Sequence, residues 1–244
     1  MSTSETRRAV TPGPAGHRQG RRRPPAAAFW CAWGLLLVVT VLLSWWAHGS
    51  SDLPLENRAA RWLDYHHHVF PLSDHLWGYM RRAGQVTTVI VVALVVAAAL
   101  AVRRHFVEAG LMLFALPMGL VQVGVRRLVD RPPFSGTIEA GRAYPSPGSF
   151  PSGHAFGEFL VFGLIFVFAP LIISSRAVAA GIRALCVAVI ALGGLERVVD
   201  SRHWPSDVIG GYLLALLYVS AAWWVSCAWA AAADPNGAVA PPAA

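Results

Sequence analysis

Six long apolar segments constrain the fold of this chain more than any other feature of its sequence. They cover residues 26–47, 86–102, 106–125, 154–173, 182–199 and 207–230. A helix needs about 20 predominantly apolar residues to cross the hydrocarbon core of a bilayer, and each segment is close to that length. Hydrophobic residues make up 55% of the 244-residue chain, which is more than a soluble domain of this size can bury. The sequence therefore predicts an all-α, polytopic membrane protein in which six transmembrane helices form a bundle.

The two ends of the chain differ in composition from the apolar segments. Residues 1–25 are rich in Arg, Pro, Ser and Gly, and residues 231–244 are rich in Ala and Pro. We expect both to be disordered tails that flank a membrane domain at 26–230. The arginines before the first apolar segment also fit a cleaved signal peptide. The length of that segment, and the tryptophans near both of its ends, favour a retained span.

The charged residues and the cysteines argue against several classes of function. The formal net charge is +7, and all 20 basic residues are arginines. These are scattered between the apolar segments, so we expect no nucleic-acid binding. Cys31, Cys186 and Cys227 lie within apolar segments and predict neither a disulfide framework nor a zinc site. For the run His66–His68 a solvated or interfacial loop is favoured over a metal site, and we expect no metal and no other cofactor.

An even number of spans places both termini on the same side of the membrane. With the termini inside, the arginines divide equally between the two sides, so their number does not set the orientation. The arginine cluster before the first span favours cytoplasmic termini, because the first helix usually dominates orientation. Loops that follow odd-numbered spans then lie on the outer face. We expect a multi-pass protein of the cell membrane.

Three polar clusters fall on that outer face. The sequence VRRLVDRPPF at 125–134 ends the third span, SFPSGHAFG at 149–157 opens the fourth, and LERVVDSRHWPSDVIGG at 195–211 joins the fifth to the sixth. We call them the first, second and third clusters. Together they gather arginines, histidines and an aspartate at one membrane face.

The second and third clusters each predict the N-terminus of a helix. Pro151 and Pro205 precede apolar segments, where a proline starts a helix without losing a needed donor, and Ser152 and Ser206 are the expected N-caps. Two helix N-termini that point at one place can bind an anion through backbone N–H groups and the positive ends of the helix dipoles. Gly153 lets the backbone approach the anion closely, and nearby arginines offer paired donors that match phosphate oxygens. The clusters therefore predict a phosphate site.

Two histidines and a carboxylate in such a site fit phosphoryl transfer without a metal. A neutral imidazole can attack phosphorus, while a protonated imidazole can donate a proton to the leaving oxygen. Asp207 follows His203 by four residues, and a carboxylate at that spacing can hold the imidazole in the attacking tautomer. For one histidine alone, an interfacial residue without chemistry is the simpler interpretation. The whole constellation, which includes His154, favours catalysis.

The Pro-Ser-Gly-His sequence and the Arg-x5-His-x3-Asp spacing resemble the second and third signature motifs of the type 2 phosphatidic acid phosphatase superfamily. That superfamily includes membrane lipid phosphatases and the vanadium-dependent haloperoxidases, and the resemblance covers roughly residues 85–230. It implies that His203 is the nucleophile, that His154 is the general acid and that Asp207 is the supporting carboxylate. It also implies a set of phosphate-binding residues, namely Ser152, Gly153 and Arg197.

The chain departs from the family's motifs in two places. The third motif normally opens with Ser-Arg, but here Glu196 precedes Arg197, and an ionised carboxylate cannot donate a hydrogen bond to phosphate. The first motif normally reads lysine, six residues, then Arg-Pro. A shorter spacing, with four residues in place of six, aligns Arg126 with the lysine and Arg131 with the arginine. Both are predicted phosphate ligands, with Arg127 as the reserve candidate. A planar guanidinium then replaces an ammonium group.

Glu158 lies one helical turn after His154 within the fourth span, where a carboxylate is expensive and often functional. It can pair with His154 and tune its proton affinity, or it can pair with an arginine at the interface. The sequence leaves both interpretations open.

The motifs and the resemblance together imply a membrane phosphatase that hydrolyses a lipid phosphomonoester or diphosphate through a phosphohistidine intermediate. A site on the outer face favours an isoprenyl diphosphate such as undecaprenyl diphosphate, followed by phosphatidic acid or phosphatidylglycerol phosphate. Membrane lipids are the expected partners, and the oligomeric state is left open. The alternative is a catalytically weakened or inactive lipid-phosphate-binding protein, which the altered first motif and Glu196 favour. Halide oxidation is less expected because those relatives are soluble, and a transporter would carry more polar residues in its spans.

Overall fold

The computed structural model describes residues 25–50, 56–59, 62, 74–132, 148–200 and 202–233. The principal helices in these ranges are α1 Ala26–Ala47, α2 Asp74–Ala83, α3 Val86–Val102, α4 Phe106–Phe114, α5 Met118–Val129, α6 Gly153–Ile172, α7 Arg176–Val199 and α8 Pro205–Ala233. The described part of the chain contains no strand, and the predicted all-α fold is confirmed. Most of the two predicted tails, and the whole His66–His68 run, lie outside the described residues.

Within the described residues, five helical stretches are long and apolar enough to cross a membrane, with α4 and α5 counted as one stretch. The number is six if the bent pair α2–α3 is also counted as one span. The first two predicted spans match α1 and α3 at both ends. α3 alone has 17 residues and meets α2 at a bend of 66°. The predicted start of the fifth span at 182 is wrong, because α7 begins at Arg176, where Ser175 caps it by accepting a hydrogen bond from the Val178 N–H.

The third predicted span consists of two helices instead of one. α4 ends at Phe114, α5 begins at Met118, and turns occupy residues 115–117 between them. Pro117 takes the N-cap position of α5, and a proline has no N–H to continue the hydrogen bonds of a preceding helix. α5 then continues to Val129, past the predicted end at 125, and its last turn carries Arg126.

α6 lies in the middle of the bundle, in contact with α3, α7 and α8. It packs into a core of fully buried apolar side chains that includes Leu100, Met112, Leu160, Leu164 and Phe168. α1 lies on the outside with most of its apolar side chains exposed, and Trp33 fastens it to α8 by donating from Nε1 to the Leu217 carbonyl at 2.9 Å. An outward apolar surface of this kind suits contact with lipid.

The N-termini of α6 and α8 lie side by side. The Ser152 N–H donates to the Asp207 carbonyl at 2.9 Å. Gly211 makes this approach possible, because a Cβ at that position would lie 2.7 Å from the Ser152 carbonyl oxygen and 3.1 Å from the Phe156 nitrogen. The contact joins the second cluster to the third.

Candidate active site

The first cluster is joined to the second by hydrogen bonds. α5 ends at Val129, and the next residue, Asp130, has a left-handed backbone with φ of 43°. Beyond this turn the Arg131 carbonyl accepts from the Ser149 N–H at 2.8 Å, and Arg126 donates from Nε to the Gly148 carbonyl. The arginines of the first cluster are thereby placed beside the segment that leads into α6.

The second cluster forms the N-terminus of α6, as predicted. Ser152 is the N-cap, and its hydroxyl accepts from the Ala155 N–H at 3.5 Å. Gln122 of α5 holds the preceding turn by donating from Nε2 to the Pro151 carbonyl at 2.8 Å. The first N–H groups of a helix have no acceptor within the helix, so the amides that begin at Gly153 form a site for an anion.

The third cluster places His203 against Asp207. Nδ1 of His203 lies 3.3 Å from Oδ2 of Asp207, and both side chains are buried. The same oxygen accepts from the Trp204 N–H at 3.1 Å, so the carboxylate is tied to the turn before α8. The contact predicted from the spacing is present. With Nδ1 directed at the carboxylate, Nε2 is the ring nitrogen left for a nucleophile.

His154 lies where the three clusters meet. It is half-buried, and it is within electrostatic reach of Arg126, Arg197, Arg202 and His203. Three arginines around one histidine create a positive potential where a phosphate would bind. Arg202 was not among the residues predicted from the sequence. It stands directly before His203 and is ion-paired with Asp200.

The two arginines near the end of α5 differ in exposure. Arg126 is half-buried and bonded to the Gly148 carbonyl, whereas Arg127, the reserve candidate, is exposed. Arg197 near the end of α7 is 2% exposed. The structure therefore gathers Arg126 and Arg197 around His154, together with the α6 N-terminus at Ser152 and Gly153.

Arg131 has different surroundings from the other predicted phosphate ligands. Its side chain is fully buried, and each of its guanidinium nitrogens donates to the protein. Nη1 bonds Oδ1 of Asp207 at 2.8 Å and the Ser206 hydroxyl at 2.6 Å. Nη2 bonds Oε2 of Glu56 at 2.6 Å, and Nε bonds the Ser50 carbonyl at 3.2 Å. The guanidinium is thus bound to the carboxylate that faces His203.

The N-terminus of α8 differs from the prediction. The helix begins at Pro205, so Ser206 lies in its first turn and is not the N-cap. The Ser206 N–H donates to Oε1 of Glu56 at 2.6 Å. A carboxylate of the protein therefore occupies the anion position at this helix end. Glu56 could not be predicted from the sequence because it lies 150 residues before Ser206, in a polar segment without a motif.

Glu196, the departure from the family's third motif, has a partner that sequence analysis also missed. Arg81 of α2 donates from Nε to Oε1 of Glu196 at 3.0 Å, and its Nη2 lies 3.4 Å from Oδ1 of Asp200. Glu196 is 2% exposed and also pairs with Arg197. Two arginines therefore engage this carboxylate, and one of them is a predicted phosphate ligand.

Within the part of the chain that the structure describes, Glu158 makes neither of the two pairings predicted for it. Among the described residues it forms no ion pair with His154 or with an arginine, and its Oε2 has no hydrogen-bond partner there. The side chain is 1% exposed and lies against Gly84 and Gly193. Across the described ranges, no group of three or more His, Cys, Asp or Glu side chains could hold a metal ion.

The part of the chain that carries the three clusters is similar to a known protein family. A profile of the PAP2 superfamily matches residues 109–230, half of the chain, and this range contains all three clusters. The chain belongs to the PAP2 superfamily. Within this PAP2 protein, the match includes every predicted site residue, whereas Glu56 and Arg81 lie outside it.

A solved structure has the same fold. It is the crystal structure described as the first transmembrane PAP2 type phosphatidylglycerolphosphate phosphatase from Bacillus subtilis. The identity is 18%, the TM-score is 0.62, and the similarity covers 78% of this chain and 93% of that one. A search of curated proteins gave no match. The PAP2 protein thus has the fold of a membrane phosphatase.

Proposed function

We propose that this PAP2 protein is an integral-membrane phosphatase that hydrolyses a lipid phosphate or diphosphate through a covalent phosphohistidine. The observation that carries the proposal is the contact of 3.3 Å between Nδ1 of His203 and Oδ2 of Asp207, both buried. A protein that only binds phosphate needs arginines and a helix N-terminus. It has no need of a buried carboxylate that fixes the tautomer of a histidine.

In the first half of the reaction, Nε2 of His203 attacks phosphorus, and the bond from phosphorus to the leaving oxygen breaks. His154, as an imidazolium, gives its proton to that oxygen. His203 now carries phosphorus on Nε2 and hydrogen on Nδ1, and Asp207 stabilises the resulting positive charge. The α6 amides from Gly153 onward, with Arg126 and Arg197, hold the phosphate oxygens.

In the second half, a water molecule attacks phosphorus and gives a proton to the now neutral His154. The bond between phosphorus and Nε2 breaks, inorganic phosphate leaves, and His203 returns to its neutral form. The proton that His154 lost in the first half is thereby restored. No step requires a metal ion, because the arginines and the helix N-terminus supply the positive charge.

For the substrate, the proposal is a lipid whose head group reaches the site while its tail stays in the bilayer. An outward-facing site makes an isoprenyl diphosphate the first choice. Phosphatidic acid and phosphatidylglycerol phosphate follow, and the Bacillus subtilis structure, described as a phosphatidylglycerolphosphate phosphatase, keeps the last of these among the candidates. The proposed location is the cell membrane, with both termini in the cytoplasm.

Phosphate release in detergent micelles with EDTA tests the proposal. We expect wild type to release phosphate from at least one of the three lipids. His203→Ala abolishes the release, and the exposed His75→Ala in α2 serves as the matched control. Rapid quenching of wild type with radiolabelled lipid yields a phosphohistidine that His203→Ala does not form. Absence of release from all three lipids would contradict the proposal and favour a lipid-phosphate-binding protein.

A further inference from the structure

We propose that Arg131 and Glu56 are positioning residues that hold Asp207 against His203, and that Arg131 acts on this carboxylate instead of on the substrate phosphate. The inference rests on the proposed function, because it names the residues that hold His203 in position as the nucleophile. It differs from the role that the family resemblance implies for Arg131, and Glu56 lies outside the family match at 109–230.

Most of the hydrogen-bond donors of Arg131 are already used by contacts with the protein. A guanidinium has five N–H groups, and four hydrogen bonds to the protein are present, to Asp207, Ser206, Glu56 and Ser50. One planar face of the group lies over the Trp204 ring at 5.2 Å from its centroid. A paired contact with phosphate needs two N–H groups of the guanidinium, so it would displace at least one of these buried acceptors from Arg131.

The contact with Arg131 fixes which way Asp207 faces. Oδ1 accepts from Arg131 at 2.8 Å, while Oδ2 accepts from the Trp204 N–H at 3.1 Å and lies 3.3 Å from Nδ1 of His203. Because each oxygen has its own partner, the carboxylate has one orientation. Its Oδ2 is presented to His203, and the imidazole is held with Nε2 directed away from Asp207.

Glu56 holds the other side of the guanidinium. Its Oε2 accepts from Arg131 at 2.6 Å, and its Oε1 accepts from the Ser206 N–H at 2.6 Å. One carboxylate therefore ties Arg131 to the first turn of α8, the same turn that carries Asp207. Arg131 lies between two carboxylates, so its charge is balanced in a buried place. Glu56, in the segment after α1, thus acts on His203 through Arg131 and Asp207.

Four variants separate a positioning role from a phosphate ligand, with inorganic phosphate as the probe of binding and lipid hydrolysis as the probe of catalysis. Arg126→Gln is the reference for a lost phosphate ligand, and Arg103→Gln, an exposed arginine at the far end of α3, is the neutral control. The test variants are Glu56→Gln and Arg131→Gln. Arg131→Lys serves if Arg131→Gln does not fold, because lysine keeps the charge but cannot bind both carboxylates with a planar fork.

We expect both test variants to lower kcat by about 10- to 100-fold and to change KM by less than about threefold, as for residues that orient a functional side chain. Calorimetry should give them a Kd for inorganic phosphate close to that of wild type, whereas Arg126→Gln raises it at least about tenfold. The double variant Glu56→Gln/Arg131→Gln should be little worse than Arg131→Gln, because both substitutions break one connected set of contacts.

Other outcomes overturn the inference. An increase in the phosphate Kd of Arg131→Gln or Arg131→Lys that matches Arg126→Gln would make Arg131 a phosphate ligand. If Glu56→Gln keeps the wild-type kcat, Glu56 does not help to position Asp207. If wild type hydrolyses none of the lipids, the proposed function fails, and the calorimetric comparison of Arg131 with Arg126 still decides where the Arg131 guanidinium acts.

Discussion

At the scale of single residues, Glu196 determines how Arg197 is held. Glu196 is buried between Arg81 and Arg197. Arg81→Gln removes one of the two cations that balance this carboxylate, so Glu196 binds Arg197 more strongly and leaves it less available to phosphate. We expect Arg81→Gln to raise KM for the lipid substrate about three- to tenfold, which corresponds to roughly 1 kcal/mol of binding free energy. Steady-state kinetics in micelles measures the change.

A second substitution tests the cause of this effect. In Arg81→Gln/Glu196→Ser the carboxylate is gone, and serine can itself donate to a phosphate oxygen, so KM should return to the wild-type value or below. Arg82→Gln, at the neighbouring position where the guanidinium lies over the Tyr79 ring, is the matched control. A KM that stays raised in the double variant would show that Arg81 contacts the substrate directly.

Residue contacts within one cluster could be predicted from the sequence, and contacts between distant segments could not. His203 and Asp207 are only four residues apart, and the turn before α8 brings their side chains together. Arg131 reaches Asp207 and Glu56 across 76 and 75 residues. A guanidinium suits a carboxylate and a phosphate equally well, so the motif alone did not show which acceptor lies beside Arg131.

At the scale of helices, the approach of α6 to α8 sets the geometry of the site. Gly211→Ala would place a Cβ 2.7 Å from the Ser152 carbonyl and force the two helix N-termini apart. We expect a loss of about 1–3 kcal/mol in the free energy of unfolding, as for overpacking in a tight interior. A displacement of about 1 Å between Ser152 and Asp207 should also lower phosphate release by about 100-fold.

Gly34→Ala provides the comparison for this prediction. Gly34 also lies within a helix, but a Cβ there meets no atom within 4 Å. Alanine should therefore leave activity unchanged and stabilise α1 by about 0.5–1 kcal/mol. Thermal unfolding in detergent and phosphate release measure both variants. Equal effects of the two substitutions would mean that the close contact at Gly211 does not position the site.

The length of an apolar segment predicted where a helix lies more reliably than where a helix is broken. α1 and α3 match the prediction at both ends because proline, polar or charged residues directly border their apolar segments. The break between α4 and α5 was missed because Pro117 stands in an unbroken apolar sequence, where hydropathy does not register a lost backbone donor. α2 was missed because its sequence is polar and its length is only 10 residues.

At the scale of the whole molecule, the clusters occupy one end of the bundle. Nδ1 of His48, just after α1, lies 2.8 Å from the Val129 carbonyl at the end of α5, beside the first cluster. Towards the other end of the bundle, Ser226 of α8 donates to Oε1 of Glu108 in α4 at 2.6 Å. Because each cluster borders a loop that follows an odd-numbered span, the order of the spans was enough to predict that the clusters lie at one membrane face. It could not give the direction in which that end faces.

Cysteine labelling tests the predicted outward direction of the site. In a variant without Cys31, Cys186 and Cys227, single cysteines replace the exposed residues Pro132, beside the first cluster, and Arg103, after α3. The arginine cluster before α1 should stay in the cytoplasm, so we expect a membrane-impermeant maleimide to label Pro132→Cys in intact cells and Arg103→Cys only after the cells are opened. The reverse pattern would place the site in the cytoplasm. An isoprenyl diphosphate of the outer leaflet could then not reach His203, and lipids of the inner leaflet would become the first choice of substrate.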